Sequence, residues 1–174
     1  MTDNLAWRLV TAKDIDALAA IHDSIACRQI LYDIFAFHGL ASSTSAPLDL
    51  LLDLYMYLYS FCKEHELTPL KTSVVLAIMH RVILRDLFLQ SHDHGKQSPW
   101  TLPESFEHFQ SLLLQHSVER PPVSTGIFDA VDVAATVEYV THNYYRQYHL
   151  YQTIFIPQTH VSIVQVWYFV TLLH

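Results

Sequence analysis

Residues 105–158 read SFEHFQSLLLQHSVERPPVSTGIFDAVDVAATVEYVTHNYYRQYHLYQTIFIPQ, and this stretch decides the fold class. It predicts two helices separated by a proline stop. Pro121 and Pro122 offer no backbone donor, and Pro121 turns Arg120 away from helical angles, so the first helix is expected to end near Glu119. After Ser124-Thr125-Gly126, Asp129 is placed to cap a second helix. Asp132, three residues on, adds negative charge at the positive end of that helix's dipole. Val133, Val137, Val140, Tyr144, Tyr148, Tyr151 and Phe155 recur in steps of three and four. Strict alternation cannot produce that spacing, so a helix running from Asp129 to Phe155 is expected, with these residues on one face.

Working outward, the rest of the chain repeats the helical pattern. Thr11 with Asp14 predicts a capping box for a short helix carrying Ile15, Leu18 and Ala19 inward. Asp23 or Ser24 caps the next segment, whose expected inner face is Ile30, Ile34 and Phe37, flanked by Leu31 and Phe35. Leu48, Leu51, Leu52, Tyr55, Leu58, Tyr59 and Cys62 form one side of a strongly amphipathic helix, with Asp49, Asp53, Ser60 and Glu64 opposite. Thr68-Pro69 opens a helix expected to reach about Gln90, burying Leu70, Val74, Ala77, Ile78, Val82, Leu84 and Leu87. The polar run SHDHGKQSP predicts a loop, and Thr101 with Glu104 begins the helix of Phe106, Phe109 and Leu113. These readings define an all-α fold, a compact single-domain array of five or six helices over residues 1–158. Residues 159–174 form an apolar C-terminal tail.

The totals bound the function. The chain has 174 residues, enough for a sizeable core, and with 51% of them hydrophobic and 16% charged either that core is generous or some apolar surface is meant for a partner. A formal charge of −7 lacks the basic footprint that nucleic acid requires. The two cysteines, Cys27 and Cys62, fall within apolar helical patterns, which predicts free buried thiols in a reducing, cytoplasmic setting. No apolar run reaches the roughly 20 residues of a membrane span, and the N-terminus lacks the apolar core of a signal peptide.

Twelve histidines raise a metal hypothesis. His92, Asp93 and His94 could seat an ion, but no third or fourth ligand stands at regular spacing. His108 and His116 lie about two helical turns apart without a partner carboxylate. Neither a phosphate-binding glycine loop nor a nucleophile elbow occurs. Neither metal, cofactor nor small-molecule ligand is therefore expected. The aromatic run is the distinctive feature. Tyr144, Tyr148 and Tyr151 serve equally well as a core stripe or an interface, whereas Tyr145, Arg146 and His149 are expected on other sides of the helix, available to a partner. Arg120 can contact a partner or compensate the dipole of the preceding helix.

His116, Ser117, Val118, Arg120, Pro121, Pro122, Tyr144, Arg146, Tyr148, Leu150, Tyr151, Phe155, Pro157 and Gln158 carry a resemblance. In that order they resemble the C-terminal block of the cilia- and flagella-associated protein 119 family, also called coiled-coil domain-containing protein 189. That block runs His-Ser-Val-x-Arg-Pro-Pro, then Tyr-Phe-Arg-His-Tyr-Lys-Leu-Tyr, then Phe-x-Pro-Gln. About a third of the chain matches strongly, and the tail VSIVQVWYFVTLLH departs from the family's polar ending. The resemblance implies a non-enzymatic structural or adaptor component of motile cilia and sperm flagella, with axonemal or radial-spoke proteins as partners. Arg120, Pro121, Pro122, Tyr145, Arg146 and His149 are then the candidate partner-binding residues. A metal-dependent enzyme using the histidines, or a helical scaffold outside cilia, are the alternatives.

Overall fold

The computed structural model describes residues 4–21, 23–35, 45–88, 91–93, 96–119 and 126–156. In chain order they form α1 (Ala12–Ala20), α2 (Ser24–Phe35), α3 (Ser45–Glu64), α4 (Pro69–Ile83), a π-helical turn (Leu84–Phe88), strands β1 (Ser91–Asp93) and β2 (Lys96–Ser98), α5 (Leu102–Gln115), α6 (Ala130–Asn143), a 3-10 turn (Tyr145–Gln147) and α7 (Tyr148–Phe155). The fold is all-α. Since the 3-10 turn joins α6 to α7 in one bent run, the described helices amount to six rods. Where the sequence predicted a plain loop, β1 and β2 pair antiparallel, with His92 opposite Gln97.

The hub is α4. Every residue from Thr72 to His80 is buried, as happens to a helix that is apolar on all sides. It packs against α1, α3 and α5, while α2 packs on α1 and α3, and α7 lies against the π-helical turn. Small polar groups on α4 do not spoil this burial because each is used. Ser73 Oγ donates to the carbonyl of Val10 at 2.6 Å, tying the N-terminal segment to the hub. Thr68 caps α4, and Pro69 sits in its first turn, where a missing N–H costs nothing.

The expected capping residues do their work. Thr11 N–H donates to Asp14 Oδ2 at 2.7 Å, and Asp14 N–H returns to Thr11 Oγ1 at 3.4 Å. Thr101 N–H donates to Glu104 Oε2 at 2.8 Å. Asp129 Oδ1 accepts from the N–H groups of Val131 and Asp132, both at 2.9 Å. Lys71 of α4 then pairs with Asp129 at 3.3 Å and with Asp132, fastening the start of α6 to the hub.

Several expectations need correction: Ala19, expected inward on α1, is exposed, and Leu70 is only half-buried. The inner face of α2 is Cys27, Leu31 and Phe35, with Ile30 and Ile34 only half-buried, so the stripe is turned by one residue, while Phe37 lies outside the described residues. Leu84 is 37% exposed, because the π-helical turn shifts register just there. α5 ends at Gln115 rather than near Glu119. The carbonyl of His116, which a continuing helix would offer to residue 120, accepts instead from Ile127 N–H at 2.7 Å and Phe128 N–H at 3.1 Å. Finally, the helix expected over Asp129–Phe155 is broken by the 3-10 turn. Residues 159–174 lie outside the described residues.

Candidate functional site

The aromatic run of α6 and α7 is first a bolt. Tyr144, Tyr148 and Tyr151 are all buried, which decides them as core. Tyr144 and Tyr151 stack with ring centroids 5.4 Å apart, and Tyr144 meets Tyr148 edge-on at 6.0 Å. Their polar tips reach other elements. Tyr148 donates from its hydroxyl to the carbonyl of Trp100 at 2.9 Å, and Gln152 Nε2 donates to the same oxygen at 2.7 Å. The Trp100 ring in turn lies 3.8 Å beneath the guanidinium of Arg85.

Beneath this bolt sits a buried carboxyl. Asp86, in the π-helical turn, is 2% exposed. Its Oδ2 accepts from Ser105 Oγ at 2.5 Å and from the Tyr144 hydroxyl at 3.0 Å, while Oδ1 is buried without a hydrogen-bond partner. Burial pushes the Asp86 pKa up to about 6, although the two hydroxyl bonds and nearby Arg85 pull the other way. Sequence reading missed this group. Asp86 lay in the expected helix of residues 68–90, with nothing to show that it faced inward.

Tyr145 does not lie on the outer face where the sequence placed it. It is 5% exposed, its ring 5.2 Å from Phe106 and its hydroxyl 3.1 Å from Ser105 Oγ. The cause is the 3-10 turn: at three residues per turn, positions 145 and 148 eclipse, so Tyr145 joins Tyr148 on the buried side. Arg146 and His149 are exposed. The Arg146 guanidinium makes no hydrogen bond or ion pair among the described residues. Arg120, Pro121 and Pro122 lie outside the described residues.

Two histidines weighed or passed over in the sequence are structural. His116, buried at the end of α5, accepts from Leu5 N–H on Nε2 at 3.1 Å and bonds the carbonyl of Leu112 through Nδ1 at 2.8 Å. That pattern holds the ring neutral, and burial lowers its pKa. His80 on α4 bonds the Tyr55 hydroxyl at 2.9 Å and stacks on Phe35, and burial lowers its pKa to about 4. Among the described residues no group of three or more His, Cys, Asp or Glu side chains is placed to hold a metal ion. The side chains of residues 91–98, which include His92 and His94, lie outside the described set.

Cys27 and Cys62 are free and buried, and burial pushes the Cys62 thiol up to about 12. Asp49 and Asp53, expected as a solvated face, are joined by Arg28, which lies 3.0 Å from Asp49 and also pairs with Asp53. Among the described residues no helix is long and apolar enough to cross a membrane.

Buried aromatics lock the frame of an all-helical protein, with Arg146 turned outward. A family model described as CLAMP, flagellar C1a complex subunit C1a-32, matches residues 57–163, and the chain belongs to this family of ciliary and flagellar axonemal proteins. The match spans α4, α5, α6 and α7, the elements that build and carry the tyrosine bolt.

Proposed function

We propose that the chain is a non-enzymatic structural or adaptor subunit of motile cilia and sperm flagella, acting within the C1a complex its family is described by. Within that family we assign it to the cilia- and flagella-associated protein 119 group, on the His116–Gln158 block. Its partners are axonemal proteins, with radial-spoke components among them, and its mechanism is docking through a preformed helical surface. The observation that carries this reading is Arg146. An exposed arginine at the bend between α6 and α7, making no hydrogen bond or ion pair among the described residues, can pair with a carboxylate of a partner. His149, one helical turn on, lies on the same exposed flank.

The test is retention. Full-length protein carrying Arg146→Glu is expressed in ciliated cells, and axonemes are extracted with detergent. The retained fraction should fall while the melting temperature of the purified variant matches the parent. A variant that unfolds, or one that stays fully axonemal, would refute the docking role of Arg146.

A further inference from the structure

Asp86 meets the bend through one oxygen. Its Oδ2 lies 2.5 Å from Ser105 Oγ and 3.0 Å from the Tyr144 hydroxyl, and Ser105 Oγ lies 3.1 Å from the Tyr145 hydroxyl. Its Oδ1 is buried and bonds nothing among the described residues. An ionised carboxylate spreads its charge over both oxygens, so half of that charge would sit unanswered in the interior. The neutral acid is better served. With its proton on Oδ2 it donates to Ser105 Oγ, and Ser105 in turn donates to Tyr145.

The neighbours leave the titration to Asp86. Arg85, next to it in sequence, lays its guanidinium 3.8 Å over the Trp100 ring and donates to the Glu104 carbonyl at 3.4 Å, so it acts on Asp86 only through space. Glu104 is exposed, with its carboxylate bonded to Thr101. Burial raises the pKa of Tyr144, Tyr145 and Tyr148, so all three hydroxyls keep their protons where Asp86 loses its own. What the carboxyl fastens is also slight. α7 has eight residues, of which Tyr148 and Tyr151 are buried, and a helix of two turns is not stable by itself in water. Tyr144 and Tyr145, at the bend that leads into α7, are the residues tied to Asp86. Lifting them bares the carboxyl, whereas α4, buried from Thr72 to His80, keeps its own partners in α1 and α3.

We propose that Asp86 is a proton-operated latch: protonated, it holds the bend and α7 closed on the π-helical turn and α5, and ionised, it lets residues 144–156 open while the α4 hub stays folded. The latch does not rest on the docking role of Arg146. It decides how firmly the segment that carries Arg146 is held, whatever that side chain contacts.

Hydrogen exchange of the full chain at pH 5 and pH 7.5, corrected for the intrinsic exchange rate, reads the opening. Amides of residues 145–156 should be less protected than those of α4 at both pH values, which marks a local opening. With the carboxyl titrating near 6 when closed and at 3.8 when bared, their protection should fall about tenfold between the two conditions. Asp86→Asn, a neutral copy of the protonated acid, should remove that fall. Tyr144→Phe keeps the carboxyl and takes a donor from its ionised form, so the fall should become larger. His80 titrates in the opposite sense, and both variants retain it. Equal protection of α7 and α4 would mean that the bend opens only when the whole protein unfolds, and it overturns the proposal. So does the absence of a fall in the parent, or a fall that persists in Asp86→Asn. Should Asp86→Asn fail to fold, Tyr144→Phe decides, and a fall no larger than the parent's overturns the latch.

Discussion

The Tyr144 hydroxyl donates to Asp86 Oδ2 at 3.0 Å, joining residues 58 apart in sequence. This bond links the π-helical turn after α4 to the bend between α6 and α7, with Ser105 at the start of α5 completing the junction. Three parts of the chain therefore meet at one carboxyl. The bend that turns Arg146 outward is held from inside by the same group.

Asp86 should make stability depend on pH in an unusual direction. Its folded pKa of about 6 is above the ordinary 3.8, so the fold favours the protonated form. The stability from this group is fully present below pH 3.8 and is lost as pH rises through about 6. Its contribution is on the order of 2–3 kcal/mol. Urea unfolding at pH 4.5 and pH 7 should show this component in the parent and not in Asp86→Asn. An unchanged pH profile in the variant would mean that the fold does not shift the Asp86 pKa.

His80 works in the opposite sense. Burial lowers its folded pKa from 6.5 to about 4, so the fold favours the neutral ring. The resulting stability is present above pH 6.5 and disappears as pH falls through about 4. Tyr55→Phe removes the hydroxyl that bonds the ring and should cost about 1–2 kcal/mol at neutral pH. Denaturant midpoints for the two proteins at pH 7 measure that cost.

Glu66 occupies a position that suits glycine. It ends α3 with φ of 51°, and the N–H of Leu67 bonds the carbonyl of Cys62 at 3.0 Å, closing a Schellman-type stop. A side chain in the left-handed region is strained, so Glu66→Gly should stabilise the protein by roughly 0.5–1 kcal/mol. Thermal unfolding would show a higher midpoint, and a lower one would mean that the Glu66 side chain makes a compensating contact.

Tyr148 tests the bolt. The ring is fully buried and its hydroxyl holds the Trp100 carbonyl. Tyr148→Ala should destabilise by about 3–5 kcal/mol, the range of large aromatic truncations in cores. Tyr148→Phe should cost only about 1 kcal/mol, the value of the lost hydrogen bond. Equal losses in calorimetry would show that the hydroxyl, not the ring, carries the contribution.

Helix content and helix starts were legible in the sequence because their causes are local. Thr11, Thr68, Thr101 and Asp129 cap through groups within three residues of themselves, and the stripe Tyr144–Tyr148–Tyr151 needs only helical spacing. Arg146 was also placed on the outside from spacing alone. What depends on distant partners was not legible. α5 stops at Gln115 because Ile127 and Phe128 take the His116 carbonyl, and Tyr145 turns inward because a 3-10 turn aligns it with Tyr148 beside Ser105. No sequence window containing Asp86 reveals that Ser105 and Tyr144 wait 19 and 58 residues away. Periodicity determines which side of a helix is apolar. Which helix becomes the hub, and which polar groups it must satisfy, is decided only when all the apolar sides compete for one interior.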